Sequence, residues 1–363
     1  LKEKAANVTG LLAPWCTMEA QIYPSQPTGF RMRAEFRMWH YGDDLDYVMF
    51  RREDPKTPVP IEQFPIAHQS IQSLMPALKA RLRASTLLRR KLFQVEFMAT
   101  LAGDMLVTLA YHRPLKEDWE QAANALREEL RADHGELSLV GRSRKQKVVL
   151  GRDWVDEALQ PEGLTFRYRQ YEQSFTQPNA LVNTRMIEWA CARAADIDGG
   201  DLLELYCGNG NFTLPLSRHF DHVIATELSK ASVRAARENI ARNGIANVQL
   251  VRLSAEEVTQ AMTGEREFRR LAELHRPLGD YQLNTLFVDP PRAGLDAHTT
   301  VMARGFERII YISCNPQTLA QNLECLCRTH EVVHFALFDQ FPYTEHMECG
   351  VVLKALPQGQ KPE

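Results

Sequence analysis

Cys314 closes the run Ile309-Ile310-Tyr311-Ile312-Ser313-Cys314-Asn315-Pro316. The β-branched and aromatic residues before it read as a buried strand, and an amphipathic helix is expected from Gln317 to about Cys327. A thiol at such a junction faces the positive end of a helix dipole, which favours the thiolate. It is a candidate nucleophile; a small buried hydrophobe is the plainer reading of an isolated Cys. The stretch Asp339-Gln340-Phe341-Pro342-Tyr343-Thr344-Glu345-His346-Met347-Glu348-Cys349 offers groups that could move a proton. Glu348 stands just before the last strand, with Glu345 and His346 as rivals on proximity. Two more constellations lie upstream. Glu204-Leu205-Tyr206-Cys207-Gly208-Asn209-Gly210-Asn211 places a G-x-G after a strand, where backbone can approach a ligand closely. Glu227 follows the next strand, 17 residues past Gly210, where an acid can hydrogen-bond ribose hydroxyls.

The elements around these residues alternate. From about residue 171, strands at Asp201–Cys207, Val223–Thr226, Val248–Leu253, Leu286–Val288 and Ile309–Ile312 are separated by helices expected over 212–219, 230–243, 255–271 and 296–303. Phe335–Asp339 and Gly350–Leu353 close the chain. This pattern is an α/β domain with a doubly wound, mostly parallel sheet. In such sheets ligands bind outside the carboxyl ends of the strands, where all four constellations fall.

Residues 1–170 read differently. A helix is expected over 1–13, another over 66–91 and a third over 116–133, with a hairpin formed by Leu92–Leu101 and Met105–His112. In Phe30-Arg31-Met32-Arg33-Ala34-Glu35-Phe36-Arg37-Met38-Trp39-His40 the even positions 32–38 are apolar and the odd positions 31–37 charged, a half-buried strand with a basic outer face. Between Glu62 and Glu96 there is no acid but there are Lys79, Arg81, Arg83, Arg89, Arg90 and Lys91. A second acid-poor run carries Arg142, Arg144, Lys145 and Lys147 at the tip of a strand–loop–strand. Each run alone reads as a solvated face. Three of them beside Trp39, Phe93 and Tyr111 point to nucleic acid, since phosphates call for Arg and Lys and splayed bases for aromatic platforms. The expected division is an α+β RNA-binding module over 1–170 and the α/β domain over 171–363.

The 363 residues carry a net charge of −3, with 44% hydrophobic and 25% charged residues, ordinary for a globular protein with a sizeable core. The sum hides an asymmetry of +3 over residues 1–170 and −6 over 171–363. No apolar run reaches membrane-spanning length and no signal peptide is visible. The seven cysteines are odd in number and form no C-x-x-C pair, which points to reduced thiols, a cytoplasmic setting and no metal site.

The E-x-x-x-G-x-G pattern, with an acid after the second strand, resembles the Rossmann-like fold of S-adenosylmethionine (SAM)-dependent methyltransferases. Asp289-Pro290-Pro291-Arg292 strengthens the likeness. Amino-group methylases carry an aromatic after the prolines to hold the amine; Arg292 stands there instead, against exocyclic-nitrogen chemistry. A thiolate beside SAM has a specific use. Carbon 5 of a pyrimidine is a poor nucleophile, and adding a thiolate to C6 makes an enolate with density on C5. A base must then remove the C5 proton so that the thiolate can leave.

Ser313-Cys314-Asn315-Pro316, Asp289-Pro290-Pro291-Arg292-Ala293-Gly294, Ser174-Phe175-Thr176-Gln177-Pro178-Asn179 and His346-Met347-Glu348-Cys349 together resemble the RNA 5-methyluridine methyltransferase family. The likeness runs over nearly the whole chain and implies roles at matching positions: Cys314 as nucleophile, Glu348 as base, and Gln177, Tyr206, Gly208, Asn211, Glu227 and Asp289 around SAM. It places Phe175 at the target base and implies a T-loop uridine of tRNA, position 54 in standard tRNA numbering, flipped out of its stack. Arg292, Phe93, Arg31, Arg33, Arg37, Arg142, Arg144 and Lys145 are the candidate RNA contacts. Ribosomal-RNA relatives with an added N-terminal barrel or four iron–sulfur cysteines are disfavoured, since the N-terminal half holds only Cys16. The expectation is a monomeric, cytoplasmic enzyme with no metal and no iron–sulfur cluster. Its rivals are a ribosomal-RNA uridine methylase and an RNA-folding factor for which methylation is secondary.

Overall fold

A computed structural model describes residues 1–42, 44–197 and 199–357. The chain forms two compact units. One contains Leu1–Ser25, Leu159–Tyr168 and Leu181–Glu363; the other contains Gln26–Ala158 and Arg169–Ala180. The single boundary expected at residue 170 is therefore replaced by a chain that passes between units four times. The first of these passages follows from the N-terminal segment. The helix Lys2–Leu12 buries Ala5, Val8 and Leu12, with Cys16, in the same apolar cluster as the strands of the α/β unit.

The larger unit is built on an eight-stranded sheet. Its spatial order is Gln21–Tyr23, His330–Phe338, Glu348–Ala355, Arg308–Ser313, Leu283–Val288, Asp201–Leu205, Val223–Thr226, Val248–Val251. Only Glu348–Ala355 runs antiparallel to its neighbours. The interior strands read as continuous apolar runs because both faces are covered, and Ile309, Ile310, Tyr311 and Ile312 are all fully buried. From Asp201–Leu205 the chain winds outward through Val223–Thr226 and Val248–Val251. It then returns to the other side through Leu283–Val288 and Arg308–Ser313. The order reverses between Asp201–Leu205 and Leu283–Val288, so a crevice opens outside the carboxyl ends of those two strands.

The smaller unit is a seven-stranded sheet in the order Pro58–Pro60, Asp44–Phe50, Arg33–Tyr41, Leu92–Ala99, Met105–Tyr111, Leu137–Ser143, Gln146–Leu150. Met105–Tyr111 and Leu137–Ser143 pair in parallel across the helix Glu117–His134. The Trp119 ring of that helix lies so close to Gly141 that an added Cβ would collide with it. The predicted alternation holds, with Met32, Ala34, Phe36 and Met38 buried.

Two helices are shorter than expected. The 66–91 segment is Gln69–Ala84 followed by the separate turn Thr86–Arg89, because Ser85 is extended and its side chain caps the second helix at Leu88 N. The 255–271 segment is helical only over Ala255–Met262; Gly264 has a φ of +74° and ends it.

Candidate active site

The Ser313-Cys314-Asn315-Pro316 turn is fixed by its own polar groups. Ser313 Oγ donates to Asn315 O at 3.1 Å and accepts from Asn315 N at 3.3 Å. Asn315 caps the helix Pro316–Leu326, accepting from Gln317 N at 3.2 Å, and donates through Nδ2 to the Arg292 carbonyl at 2.9 Å. Thr318 Oγ1 donates to the same carbonyl at 3.2 Å. The turn that carries Cys314 is thereby tied to the Asp-Pro-Pro-Arg turn on the neighbouring strand. Asn322, one helical turn further on, ties them again. It bridges Leu295 N and Leu295 O and accepts from Tyr311 OH at 2.8 Å. Its Oδ1 sits 2.7 Å from where a Gly294 Cβ would stand, and Gly294 has a φ of +73°, so no side chain fits there.

Strand register places Glu348. In the antiparallel pair the last rung sets Ser313 opposite Cys349, so Cys314 and Glu348 each stand one residue beyond it, and the Glu348 charge acts on the Cys314 thiol. Glu348 is 4% exposed, whereas the rivals Glu345 and His346 lie on the surface. Burial, with the Asp289 charge nearby, pushes the Glu348 carboxyl up to about 8, and Arg292 pulls the other way. Asp289, at the end of the adjacent strand, is pushed by burial to about 7.

The expectation of a thiolate at Cys314 is corrected. Burial first, then the charges of Glu348 and Asp289, push its thiol up to about 11, against a lowering by Arg292. The helix offers little relief because Pro316 has no N–H and the Asn315 side chain takes the N–H of Gln317. Burial and these like charges favour the neutral thiol.

The G-x-G loop is shaped for close approach. Tyr206, Gly208 and Gly210 all have positive φ, at 60°, 58° and 89°. A Cβ on Gly210 would meet Leu214 Cδ1 at 2.6 Å. Glu227 holds the loop from the side: its Oε2 accepts from Gly208 N at 3.1 Å and its Oε1 from Ser229 N at 2.7 Å. Asn211 forms a reciprocal amide pair with Asn183 at 2.8 and 2.9 Å. Glu204 is 1% exposed, its Oε2 is buried with no hydrogen-bond partner, and burial pushes its carboxyl up to about 8. Asp289 acts on Glu204, Glu348 and Cys314, and Arg292 opposes it at Glu348 and Cys314. A ligand carrying a sulfonium and an ammonium fits that donor set: it would supply the missing positive charge and partner the orphaned Glu204 oxygen. Among the described residues no group of three His, Cys, Asp or Glu could hold a metal ion.

The smaller unit holds the remaining candidates. Gln177 is half-buried and Phe175, two residues before it, is 77% exposed. Arg33 donates to the Ser174 carbonyl at 2.7 Å and pairs with Glu96. Arg31 donates to the Arg33 carbonyl at 2.8 Å, and burial lowers its pKa. Arg142 forms a bidentate pair with Glu172, whose side chain is 1% exposed. Phe93 stacks on His112 with ring centroids 3.9 Å apart, and the Arg37 guanidinium lies 5.5 Å from its centroid. Arg144 and Lys145 are exposed at the turn between Leu137–Ser143 and Gln146–Leu150, as predicted. Glu204, Asn315 and Asn322 were not among the residues that the sequence singled out. Glu204 was visible as the first residue of E-x-x-x-G-x-G, but nothing in the sequence showed that it is buried without a partner. Nor did the sequence point to a basic groove in the larger unit lined by Lys230, Arg234, Arg237, Arg252 and Arg270.

The tRNA (Uracil-5-)-methyltransferase family matches residues 1–356. The chain belongs to this family. A tRNA/tmRNA (uracil-C(5))-methyltransferase of Aromatoleum aromaticum is 53% identical over 353 residues, 97% of this chain and 94% of that one. Proteins of the same description from Vibrio cholerae and Acinetobacter baumannii are 52% and 54% identical, each covering 98% of this chain and at least 95% of their own length. Among solved structures, the Pyrococcus abyssi tRNA (uracil-54, C5)-methyltransferase in complex with S-adenosyl-L-homocysteine superposes with a TM-score of 0.73. It covers 97% of this chain and 82% of that one at 18% identity, a likeness of fold. By family, this is a SAM-dependent methyltransferase. No helix among the described residues is long and apolar enough to cross a membrane.

Proposed function

We propose that the protein methylates C5 of a uridine in the T-loop of tRNA, position 54 in standard numbering, with Cys314 as nucleophile and Glu348 as base. The observation that carries the reading is a buried carboxyl, Glu348, acting on a partly buried thiol, Cys314, each one residue beyond the last paired rung at the end of the strand Arg308–Ser313. SAM supplies an electrophilic methyl group. Tyr206, Gly208, Asn211, Glu227 and Asp289 would hold it in the larger unit; the family likeness adds Gln177, a residue of the smaller unit. Bound SAM would supply a positive charge that favours the Cys314 thiolate, whose proton would pass to solvent.

Cys314 Sγ then bonds to C6 and the C5–C6 π electrons move to make an enolate, whose C5 would take the methyl as its bond to the sulfonium sulfur breaks, leaving S-adenosylhomocysteine. Glu348 removes the C5 proton, the C5–C6 double bond re-forms and the C6–S bond breaks, returning the thiolate. A uridine inside a stacked loop cannot reach Sγ, so the base leaves the stack, with exposed Phe175 as its platform. Arg37, Arg144, Lys145 and Phe93 are the remaining RNA contacts, with Arg31, Arg33, Arg142 and Arg292 acting in part through the protein groups they already hold. We read the enzyme as a cytoplasmic monomer.

The test is incubation with unmodified tRNA and methyl-labelled SAM, followed by nucleoside analysis. Label in 5-methyluridine at a single T-loop position is expected. Label in any other nucleoside would exclude the assignment.

A further inference from the structure

Lys4 stands in the first turn of the helix Lys2–Leu12, where the dipole disfavours a cation. Its ammonium nevertheless uses all three of its donors on one distant loop. It reaches Asp339 Oδ1 at 2.5 Å, the Phe341 carbonyl at 3.1 Å and the His346 carbonyl at 2.6 Å. The Lys4 and Asp339 side chains are 10% and 9% exposed. The loop has contacts of its own: Gln340 Nε2 donates to Met186 Sδ at 3.8 Å, Arg292 lies 3.3 Å from His346 Nε2, and the Phe341 and His346 rings stand 6.0 Å apart. Thr344 Oγ1 donates to the Phe341 carbonyl at 2.8 Å and accepts from His346 N at 3.2 Å, while Tyr343 has a φ of 65° and is 74% exposed. The loop joins the ends of two paired strands, His330–Phe338 and Glu348–Ala355, and the last carbonyl that Lys4 holds is two residues before Glu348. A local preference broken in this way, with three compensating bonds, is expected where function requires it.

We propose that Lys4 is a positioning residue for proton removal: by clamping both ends of the 339–347 loop, it holds Glu348 beside Cys314. The proposal rests on the reading of Glu348 as the base. It makes a specific demand, because Lys4 touches neither the thiol nor the cofactor lining. Weakening the clamp should leave addition and methyl transfer in place and slow the removal of the C5 proton. The enzyme would then stall as an adduct in which Cys314 Sγ is bonded to C6 and C5 carries both the methyl and the proton.

The experiment uses ordinary uridine T-arm RNA and SAM with Lys4→Met, Lys4→Arg, Glu348→Gln and the wild type. Denaturing gels, steady-state kinetics and melting curves are read together. Lys4→Met should accumulate an RNA-linked band absent from the wild type, lower kcat about tenfold or more and leave KM for SAM within about twofold. Lys4→Arg should recover part of kcat and lose part of the band. Glu348→Gln should show the band most strongly. If Glu348→Gln gives the band but Lys4→Met does not, the positioning role is overturned and the base assignment stands. If Glu348→Gln gives no band and keeps turnover, the base assignment fails and the proposal with it. Should Lys4→Met fail to fold, Asp339→Asn, which leaves both carbonyl bonds to Lys4 in place, carries the same demand with a smaller band. Wild-type behaviour of Asp339→Asn would then overturn the proposal.

Discussion

The two units manage charge in opposite ways. In the smaller unit six of the thirteen cations that stand out in the sequence already have a carboxylate, Lys147 with Asp153 among them. Lys79 and Arg83 pair with Asp46, Arg81 with Glu129 and Asp133, Arg33 with Glu96, and Arg142 with Glu172. In the larger unit the crevice carboxyls Glu204, Asp289 and Glu348 form no ion pair among the described residues, and burial raises the pKa of each. A run of basic residues in a sequence is therefore a poor map of a binding surface, because its partners arrive from elsewhere in the chain. Unpaired buried acids are the stronger sign of a site: they are costly to keep, and a cationic ligand relieves the cost.

Breaking the contrast on the catalytic side has the largest expected effect. Cys314→Ala should reduce methylation by at least about 10³-fold while leaving SAM binding near wild type, as equilibrium binding and single-turnover assays would show. Glu204→Gln comes next. It should weaken SAM binding about tenfold and stabilise the free protein at high pH. The sign follows from linkage: the folded carboxyl titrates near 8 and the unfolded one near its ordinary value, so between those values the folded state holds more protons and stability falls as pH rises. The melting temperature of Glu204→Gln should therefore exceed that of the wild type at pH 8.5 and differ little at pH 4.5.

On the smaller unit the effects are lesser and split by pairing. Arg142→Ala leaves Glu172 buried with Lys147 at 3.3 Å as its cation and Thr108 Oγ1 donating at 3.3 Å, and should cost about 2 kcal/mol in denaturant titrations. Replacing both Arg144 and Lys145 by Ala should leave stability within about 0.5 kcal/mol and lower the salt slope of tRNA binding by about 1 for each phosphate no longer neutralised. If Arg142→Ala changed the salt slope without changing stability, the division between paired and free cations would be wrong.

Much of the fold was legible in the sequence. The strand–helix alternation after residue 171 follows from continuous apolar runs that only a doubly covered sheet can bury, and the Met32–Met38 alternation follows from a sheet covered on one face. Cys314 and the G-x-G loop were legible because a strand end before a helix is where such sheets put their chemistry. The remainder depended on distance along the chain. Arg33 meets Glu96 63 residues away, and Lys4 reaches Asp339 335 residues away. Their spacing carries no signal. The N-terminal helix looked like a leader to the first module because only its burial assigns it to the second. The Cys314 thiol was misjudged because a dipole can be read from a sequence but the burial and like charges that outweigh it cannot.

The central claim is covalent addition by Cys314, and 5-fluorouridine tests it most directly, since fluorine cannot leave C5 as a proton would. Wild-type protein incubated with SAM and a T-arm hairpin carrying 5-fluorouridine at the target should give a methyl-labelled RNA–protein band that survives a denaturing gel, and Cys314→Ala should give none. No band from active wild-type enzyme, or an equal band from Cys314→Ala, would contradict the account.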